Sequence, residues 1–200
     1  MQSAVKELSA CPSNSFMEIC DSVSKGALKG ARGNSGVILS QILRGICSVV
    51  RECGKEFDTK IFAKAMEAGT KVAYGAVSVP KEGTILTVAR LSAAKAADAA
   101  RENNFIEFVH EAAIEEAVKA LADTVNQNPV LKKAGVVDAG GKGWVVALEA
   151  MLSALQGEDV VLPESGAVTQ TKQSADFSDF NTEDITFSYC TEFIISREND

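Results

Sequence analysis

Apolar residues recur every three or four positions through most of residues 1–157, which is the spacing of a buried helix face. Gly30, Gly54, Pro80 and Pro129 interrupt this pattern, so the sequence predicts an all-α bundle of helices joined by short connections. The predicted helices are 17–28, 35–52 with Ser35 as its cap, 58–79 with Asp58 as its cap, 84–103, 106–127 and 142–156, with a short turn or helix at Pro129.

The predicted buried faces differ in the size of their side chains. Helix 84–103 has an alanine face (Ala89, Ala93, Ala96, Ala97, Ala100), which favours close approach of a neighbouring helix. Helix 106–127 is predicted to bury Ile114, Val118, Leu121 and Val125. His110 lies in the same helix without an evident Ser or Cys partner, so we expect it to be partly exposed and not catalytic.

The composition changes after Gly157. Residues 158–183 are polar and contain Pro163 and Gly166, which is typical of a linker. From Ile185 to Ile195 large side chains alternate with small or polar ones, which predicts a strand. We therefore expect a helical domain over 1–157, a linker, and the start of a strand-bearing domain at 184–200. A lone strand is unstable, so we expect it to be disordered or paired with another chain.

Charge and composition exclude several functions. The chain has 27 acidic and 20 basic residues and a net charge of −7, which argues against a general nucleic-acid binder. Five cysteines in irregular spacing contain no CxxC pair, so they predict reduced thiols in a cytoplasmic protein and no zinc site. No apolar run approaches the ~18 residues of a membrane span, so we expect a protein that is not transmembrane.

The clearest candidate for chemistry is a glycine-rich run before helix 35–52. It reads Gly30-Ala31-Arg32-Gly33-Asn34-Ser35-Gly36, with Lys25 and Lys29 just ahead of it. The free N–H groups and positive dipole end of a helix N-terminus attract anions, usually phosphate. The alternative is structural: glycine ends one helix, Asn or Ser caps the next, and nothing binds.

Three polar loops could meet at one end of the bundle. They are 30–36, 81–84 and 138–141, and two helices separate each from the next if residues 129–134 form only a turn. Such a rim would suit a nucleotide, with Asp138 holding a ribose hydroxyl or a ring proton. Asp138 and Thr84 are equally compatible with simple helix caps. The aspartates of 1–157 are scattered, so the residues themselves predict no metal site.

Three segments, in order, resemble the DhaL-type domain and, more narrowly, the A-subunit family of bacterial fatty-acid kinases. They are Gly30 to Gln41, Pro80-x-x-Gly83-Thr84-Ile85-Leu86-Thr87-Val88, and Val136-Val137-Asp138-Ala139-Gly140-Gly141-x-Gly143. Thr191-Glu192-Phe193 is similar to the start of the family's middle domain.

The resemblance implies an all-α antiparallel helical barrel that binds ATP with Mg²⁺ at one end. It implies phosphate contacts from Ser35 and Gly36, within a nucleotide-binding set of Gly33, Asn34, Ser35, Gly36, Gly83, Thr84, Asp138, Gly140 and Gly141. The implied reaction transfers the γ-phosphoryl group to a fatty-acid carboxylate presented by a DegV-like partner. A lipid in the barrel interior and a homodimer are further expectations.

The chain departs from this family at its start. An Asp-Gly-Asp-Thr-Gly-x-Asn motif, which supplies the magnesium ligands, normally precedes the segment similar to Met1-Gln2-Ser3-Ala4 and does not occur here. We therefore expect a chain truncated at both ends that binds ATP·Mg²⁺ weakly and turns over little. Two alternatives stay open: a dihydroxyacetone-type acceptor, and a non-enzymatic helical module that binds lipid or a partner.

Overall fold

The computed structural model describes residues 1–13, 15–53 and 57–158, and the chain is all-helical over them. The helices are α1 (Gln2–Ser9), α2 (Phe16–Gly30), α3 (Gly33–Val50), α4 (Thr59–Gly75), α5 (Ile85–Glu102), α6 (Ile106–Gln127), α7 (Pro129–Ala134) and α8 (Ala139–Leu155). This confirms the predicted all-α bundle. The predicted strand at 185–195, and the predicted linker apart from Glu158, lie outside the described residues.

Local signals set most of the helix ends. α6 has its predicted bounds, and α5 differs from prediction by one residue at each end. Asp58 caps α4 as predicted, because its Oδ1 accepts a hydrogen bond of 2.8 Å from the Ile61 N–H. α4 ends at Gly75, earlier than the predicted residue 79. The residue before a proline is biased away from helical geometry, and here the chain already leaves the helix ahead of Pro80.

α5 lies at the centre of the bundle and contacts α3, α4, α6 and α8. Of its predicted alanine face, Ala89, Ala93, Ala96 and Ala100 are almost inaccessible, and Ala97 is half-buried. These small side chains let the neighbouring helices approach. Trp144 of α8 is the largest fully buried side chain, and its indole Nε1 donates to Ser92 Oγ over 3.3 Å.

α3 and α4 cross with almost no space between their backbones. A Cβ built on Gly45 would lie 2.5 Å from both the Ala68 carbonyl oxygen and the Gly69 Cα. A Cβ built on Gly69 would lie 2.8 Å from the Ile42 carbonyl oxygen. The glycines at this crossing therefore fix the separation of the two helices.

The predicted buried face of α6 is only partly correct, because Leu121 is buried, Ile114 and Val125 are half-buried, and Val118 is exposed. The buried face of the helix is Val109, His110, Ala113, Ala117, Ala120, Leu121 and Thr124. Val118, predicted to be buried, is 46% exposed. The helix packs against both α5 and α8, and it does so through its alanines, so the larger aliphatic residues did not mark the centre of the buried face.

His110 is 3% exposed, not partly exposed as predicted. Its Nε2 lies 2.9 Å from the Leu148 carbonyl oxygen, which can only accept, so Nε2 carries the proton. The imidazole also stacks on Phe62 with ring centroids 4.9 Å apart. Burial lowers the pKa of His110, although the hydrogen bond to Leu148 acts in the opposite direction. His110 is therefore a neutral core residue that ties α6 to α8.

The described cysteines, Cys11, Cys20, Cys47 and Cys53, are free thiols. Burial, with a further contribution from neighbouring Cys47, raises the pKa of Cys20 to about 12. Cys20 is therefore a protonated packing residue.

Among the described helices, none combines the length and the apolar character that crossing a bilayer requires.

Candidate functional site

A cavity of about 580 Å³ lies at the end of the bundle where α3, α5 and α8 begin. It is lined by Asn34, Ser35, Val37, Ile38, Ala76, Val77, Ser78, Val79, Lys81, Thr84, Ile85, Leu86 and Asp138. All three loops that the sequence predicts to meet contribute to this lining. The cavity therefore faces three helix N-termini, each of which carries partial positive charge.

α3 begins at this cavity without a side-chain cap. Gly33 has a φ of +61°, a conformation that L side chains rarely adopt, and it turns the chain from the extended Arg32 into the helix. The N-cap position belongs to Arg32, so the prediction that Ser35 caps this helix is wrong. Asn34 and Ser35 lie instead in the first turn, exposed at the cavity, close to backbone N–H groups that have no partner within the helix.

α5 begins at the cavity with Thr84 as its cap. The Thr84 Oγ1 accepts from the Leu86 N–H over 3.3 Å and donates to the Lys81 carbonyl oxygen over 2.8 Å. Gly83 is buried with a φ of +72°, and a Cβ there would lie 3.0 Å from atoms of Asn128. Thr84 therefore lines the cavity, whereas Gly83 is needed for the positive φ of the turn and for its close packing against Asn128.

A hydrogen-bonded network supports the loop that carries Lys81 and Thr84. The Glu82 carboxylate accepts from Tyr74 over 2.9 Å, from Thr87 over 2.7 Å and from Arg90 over 2.8 Å. Burial acts to raise the pKa of Glu82, but these hydrogen bonds outweigh it and hold the pKa below its usual value. Three donors on α4 and α5 thus hold the loop through one carboxylate.

α8 begins at the cavity with Asp138 as its cap. The Asp138 Oδ2 accepts from the Gly141 N–H over 2.7 Å, and the Asp138 N–H donates to Thr124 Oγ1 over 3.1 Å. A Cβ on Gly140 would lie 3.4 Å from Ser35 Oγ, so this residue brings α8 against the start of α3. A Cβ on Gly141 would lie 2.9 Å from Val88, so Gly141 is a packing residue of the core.

Of the predicted site residues, Asn34, Ser35, Thr84 and Asp138 line the cavity, and Gly140 lies beside Ser35. The remaining predicted residues, Gly33, Gly36, Gly83 and Gly141, are not part of the lining. Three of these have a visible structural reason for being glycine, namely the turns at Gly33 and Gly83 and the packing at Gly141.

The basic residues near the glycine-rich run do not gather at the cavity. Lys29 Nζ pairs with Glu7 over 2.8 Å, and Arg32 Nη1 donates to the Ala31 carbonyl oxygen over 2.7 Å. The cation in the cavity lining is Lys81, which the sequence reasoning missed. Its place three residues before Thr84, next to Pro80, is the signal that could have identified it.

The donor set of the cavity fits an anion better than a metal. Asp138 is the single carboxylate among the described lining residues. Within the described ranges, no group of three or more His, Cys, Asp or Glu side chains is placed to hold a metal ion. Magnesium in nucleotide sites is normally held by one or two carboxylates together with phosphate oxygens, so Asp138 alone makes a weak site.

A smaller apolar cavity of about 180 Å³ lies at the opposite end of the bundle. It is lined by Ile46, Phe57, Phe62, Ala65, Met66, Ile106, His110, Met151 and Leu155. These residues come from the end of α3, the start of α4 and α6, and the end of α8, with Phe57 just before α4. The two ends of the bundle therefore differ in chemistry, one with polar groups and helix N-termini and the other apolar.

Comparison with known proteins gives consistent similarities. A sequence model described as DAK2 domain matches residues 1–153. Protein YloV of Bacillus subtilis (strain 168) is 42% identical over 200 residues, covering 98% of this chain and 36% of that protein. An uncharacterized protein of Staphylococcus haemolyticus, SH1689, is 43% identical over 186 residues, covering 92% of this chain and 34% of its own length. This chain therefore spans about a third of the length of these curated relatives.

Proposed function

Because the chain belongs to the DAK2-domain family, whose fold is that of the dihydroxyacetone-kinase L subunit, we propose that it is the nucleotide-binding domain of an ATP-dependent kinase. The observation that carries this proposal is the convergence of three helix N-termini on one cavity of about 580 Å³. Helix N-termini attract phosphate through their N–H groups and their dipoles. Such a cavity suits the polyphosphate of a nucleotide.

In this proposal some of the lining residues bind the phosphates of the nucleotide and others contact its base. The uncapped first turn of α3 offers backbone N–H groups, with the Ser35 hydroxyl and the Asn34 amide beside them. Lys81 offers the compact positive charge that binds phosphate well. Ile38 and Val77 give the same cavity an apolar wall against which a flat base can pack.

Asp138 has a different part in the proposal. Its Oδ2 is used as a helix cap, and its negative charge disfavours phosphate at that wall. We therefore propose that the Asp138 carboxylate accepts a hydrogen bond from a donor group of the nucleotide, such as a ribose hydroxyl. Bound Mg²⁺ would neutralise phosphate charge, but Asp138 is the single carboxylate of the described lining and does not suffice to hold the ion.

For the whole protein we propose a fatty-acid carboxylate as phosphoryl acceptor, presented by a DegV-like partner in the cytoplasm. Support comes from the three ordered motifs similar to the fatty-acid kinase A-subunit family. Dihydroxyacetone is the second candidate acceptor, because the matched domain is of the dihydroxyacetone-kinase type. A non-enzymatic module is favoured by one observation, the apolar cavity at the far end, which would accept part of a lipid chain.

Calorimetric titration of ATP with Mg²⁺ into the 200-residue chain tests the nucleotide site. We expect binding that is lost in an Asn34→Ala, Ser35→Ala variant and kept in Ser153→Ala. Ser153 is a suitable control because it lies near the end of α8, away from the helix N-termini, and is not part of the cavity lining. Equal affinity in the wild type and the double variant would contradict the proposed phosphate position.

A further inference from the structure

A second polar cavity, of about 660 Å³, lies between α2 and α3. It shares no lining residue with the cavity at the helix N-termini. Its walls are consecutive turns of the two helices, from Asp21 to Leu28 on α2 and from Ser40 to Arg51 on and just after α3. The proposed kinase function makes no use of this space.

The cavity has an excess of positive charge. Lys25, Arg44 and Arg51 line it against a single carboxylate, Asp21, whose Oδ1 lies 3.2 Å from Arg51 Nη1. Pairing of Asp21 with Arg51 leaves Lys25 and Arg44 without a carboxylate partner in the lining. The carboxylate of Glu7 on α1 interacts with Lys25 from outside the cavity. Residues 1–158 as a whole have no such excess, because they contain eighteen basic and eighteen acidic side chains. The positive charge is therefore concentrated at this cavity.

The floor of the cavity is polar although it is buried. Ser40 is 2% exposed and Gln41 is 9% exposed, and a helix normally places apolar residues at such positions. The Gln41 Oε1 accepts from Arg44 Nη1 over 3.2 Å, while its Nε2 donates to Ser40 Oγ over 3.4 Å. The buried amide therefore holds the guanidinium of Arg44 in place at the cavity.

The remaining polar groups of the lining are hydroxyls. Ser24, Ser40 and Ser48 line the same space. The Ser40 and Ser48 hydroxyls already donate to the Val37 and Gly45 carbonyl oxygens, and Ser40 also accepts from Gln41. The capacity to bind a ligand therefore remains at Ser24 and at the acceptor lone pair of Ser48. Lys25 and Arg44 match the charge of a phosphate monoester, and these two serines match hydroxyls on its carbon skeleton. The cavity also exceeds the needs of a lone phosphate ion.

We propose that the α2–α3 cavity binds the phosphate monoester or diester of a small polyhydroxylated molecule. Lys25 and Arg44 bind the phosphate, and Ser24 and Ser48 bind the hydroxyls. The same chemistry is present in a free polyol phosphate and in the headgroup of an anionic glycerophospholipid. The site is independent of the nucleotide cavity, so each can fail without the other.

The test uses the 200-residue chain and two probes. Glycerol 3-phosphate is titrated while the amide resonances are followed by NMR, and sedimentation with vesicles of phosphatidylglycerol or of phosphatidylcholine measures headgroup binding. We expect the largest shifts in the turns of α2 and α3 that line the cavity. A Lys25→Gln, Arg44→Gln variant should weaken binding by about tenfold or more, because it removes two charge-assisted hydrogen bonds.

Matched controls separate this site from general charge effects and from the nucleotide site. Arg101→Gln removes an exposed cation on α5 and should leave the affinity unchanged. Saturating ATP and the Asn34→Ala, Ser35→Ala variant should also leave it unchanged. Binding of the free phosphate or of phosphatidylglycerol vesicles, lost in the cavity variant, supports the proposal and identifies the source. No binding of either probe, or binding that Arg101→Gln weakens as much as the cavity variant, overturns it.

Discussion

A single methyl group at Gly45 tests the central packing feature of the bundle. In Gly45→Ala the new Cβ would lie 2.5 Å from the Ala68 carbonyl oxygen and 2.7 Å from the Gly69 backbone nitrogen. Side-chain rotation cannot relieve these contacts, because the atoms belong to the backbone of α4. The helices must separate, which also loosens the contacts around Ile42 in the core.

The expected cost follows from two opposing effects. Replacing glycine by alanine inside a helix stabilises it by about 1 kcal/mol. Overpacking a filled interior typically costs about 1–3 kcal/mol, and contact with a rigid backbone belongs at the upper end of that range. The net expectation is a loss of about 2 kcal/mol of unfolding free energy, or a fall in Tm of roughly 4–8 °C for a domain of this size.

The control is Gly143→Ala on α8. Gly143 is exposed and helical, and a Cβ there meets nothing within 4 Å. This variant should therefore gain roughly 0.5–1 kcal/mol from helix propensity alone. Urea unfolding followed by helical circular dichroism measures both variants. If Gly45→Ala is as stable as Gly143→Ala, the close crossing of α3 and α4 is wrong.

Two further predictions concern a helix cap and the core imidazole. Asp138→Ala should cost about 1 kcal/mol of unfolding free energy, because the hydrogen bond from the Gly141 N–H to the Asp138 Oδ2 is lost. Asp138→Asn should keep the cap, because its amide oxygen can accept the same bond. Equal urea midpoints for the two variants would contradict this. His110 is the only histidine of the chain, and burial lowers its pKa in the folded state below the 6.5 of an exposed imidazole. The unfolded chain therefore binds the proton more readily, so stability should be full above about pH 7.5 and should fall as the pH drops through 6.5 and below. His110→Gln should remove this dependence, measured as the urea midpoint from pH 8 to pH 5.5, and an unchanged slope would refute the assignment.

Features that depend on neighbouring residues in the chain could be predicted from the sequence. Thr84 and Asp138 are residue types that cap helices, and both do so, although α8 begins at Ala139 and not at the predicted residue 142. The alanine face of α5 follows from its spacing alone. The meeting of the three loops was predicted from an even number of helices between them, on the condition that residues 129–134 form only a turn. These residues form the helix α7, but its six residues span only about 9 Å, which is too short to carry the chain to the other end of the bundle.

Features that depend on distant residues could not be predicted in this way. Lys29 looked available to an anion, but Glu7 on α1 pairs with it. Gly83 and Gly141 looked like ligand-contacting glycines, but helices distant in sequence fill the space where their side chains would be. In each case the deciding partner lies more than twenty residues away, and no local pattern reports it.

The caps decide which wall of the cavity can take phosphate. At α5 and α8 a side-chain oxygen already satisfies part of the helix start, through Thr84 and Asp138. At α3 no side chain does so, and two polar residues, Asn34 and Ser35, stand at the opening. Unpartnered N–H groups are the stronger anion site, and the charge of Asp138 opposes phosphate at the other wall. A bound polyphosphate should therefore lie along α3, which is why substitutions at Asn34 and Ser35 test the nucleotide site more sharply than changes at Thr84.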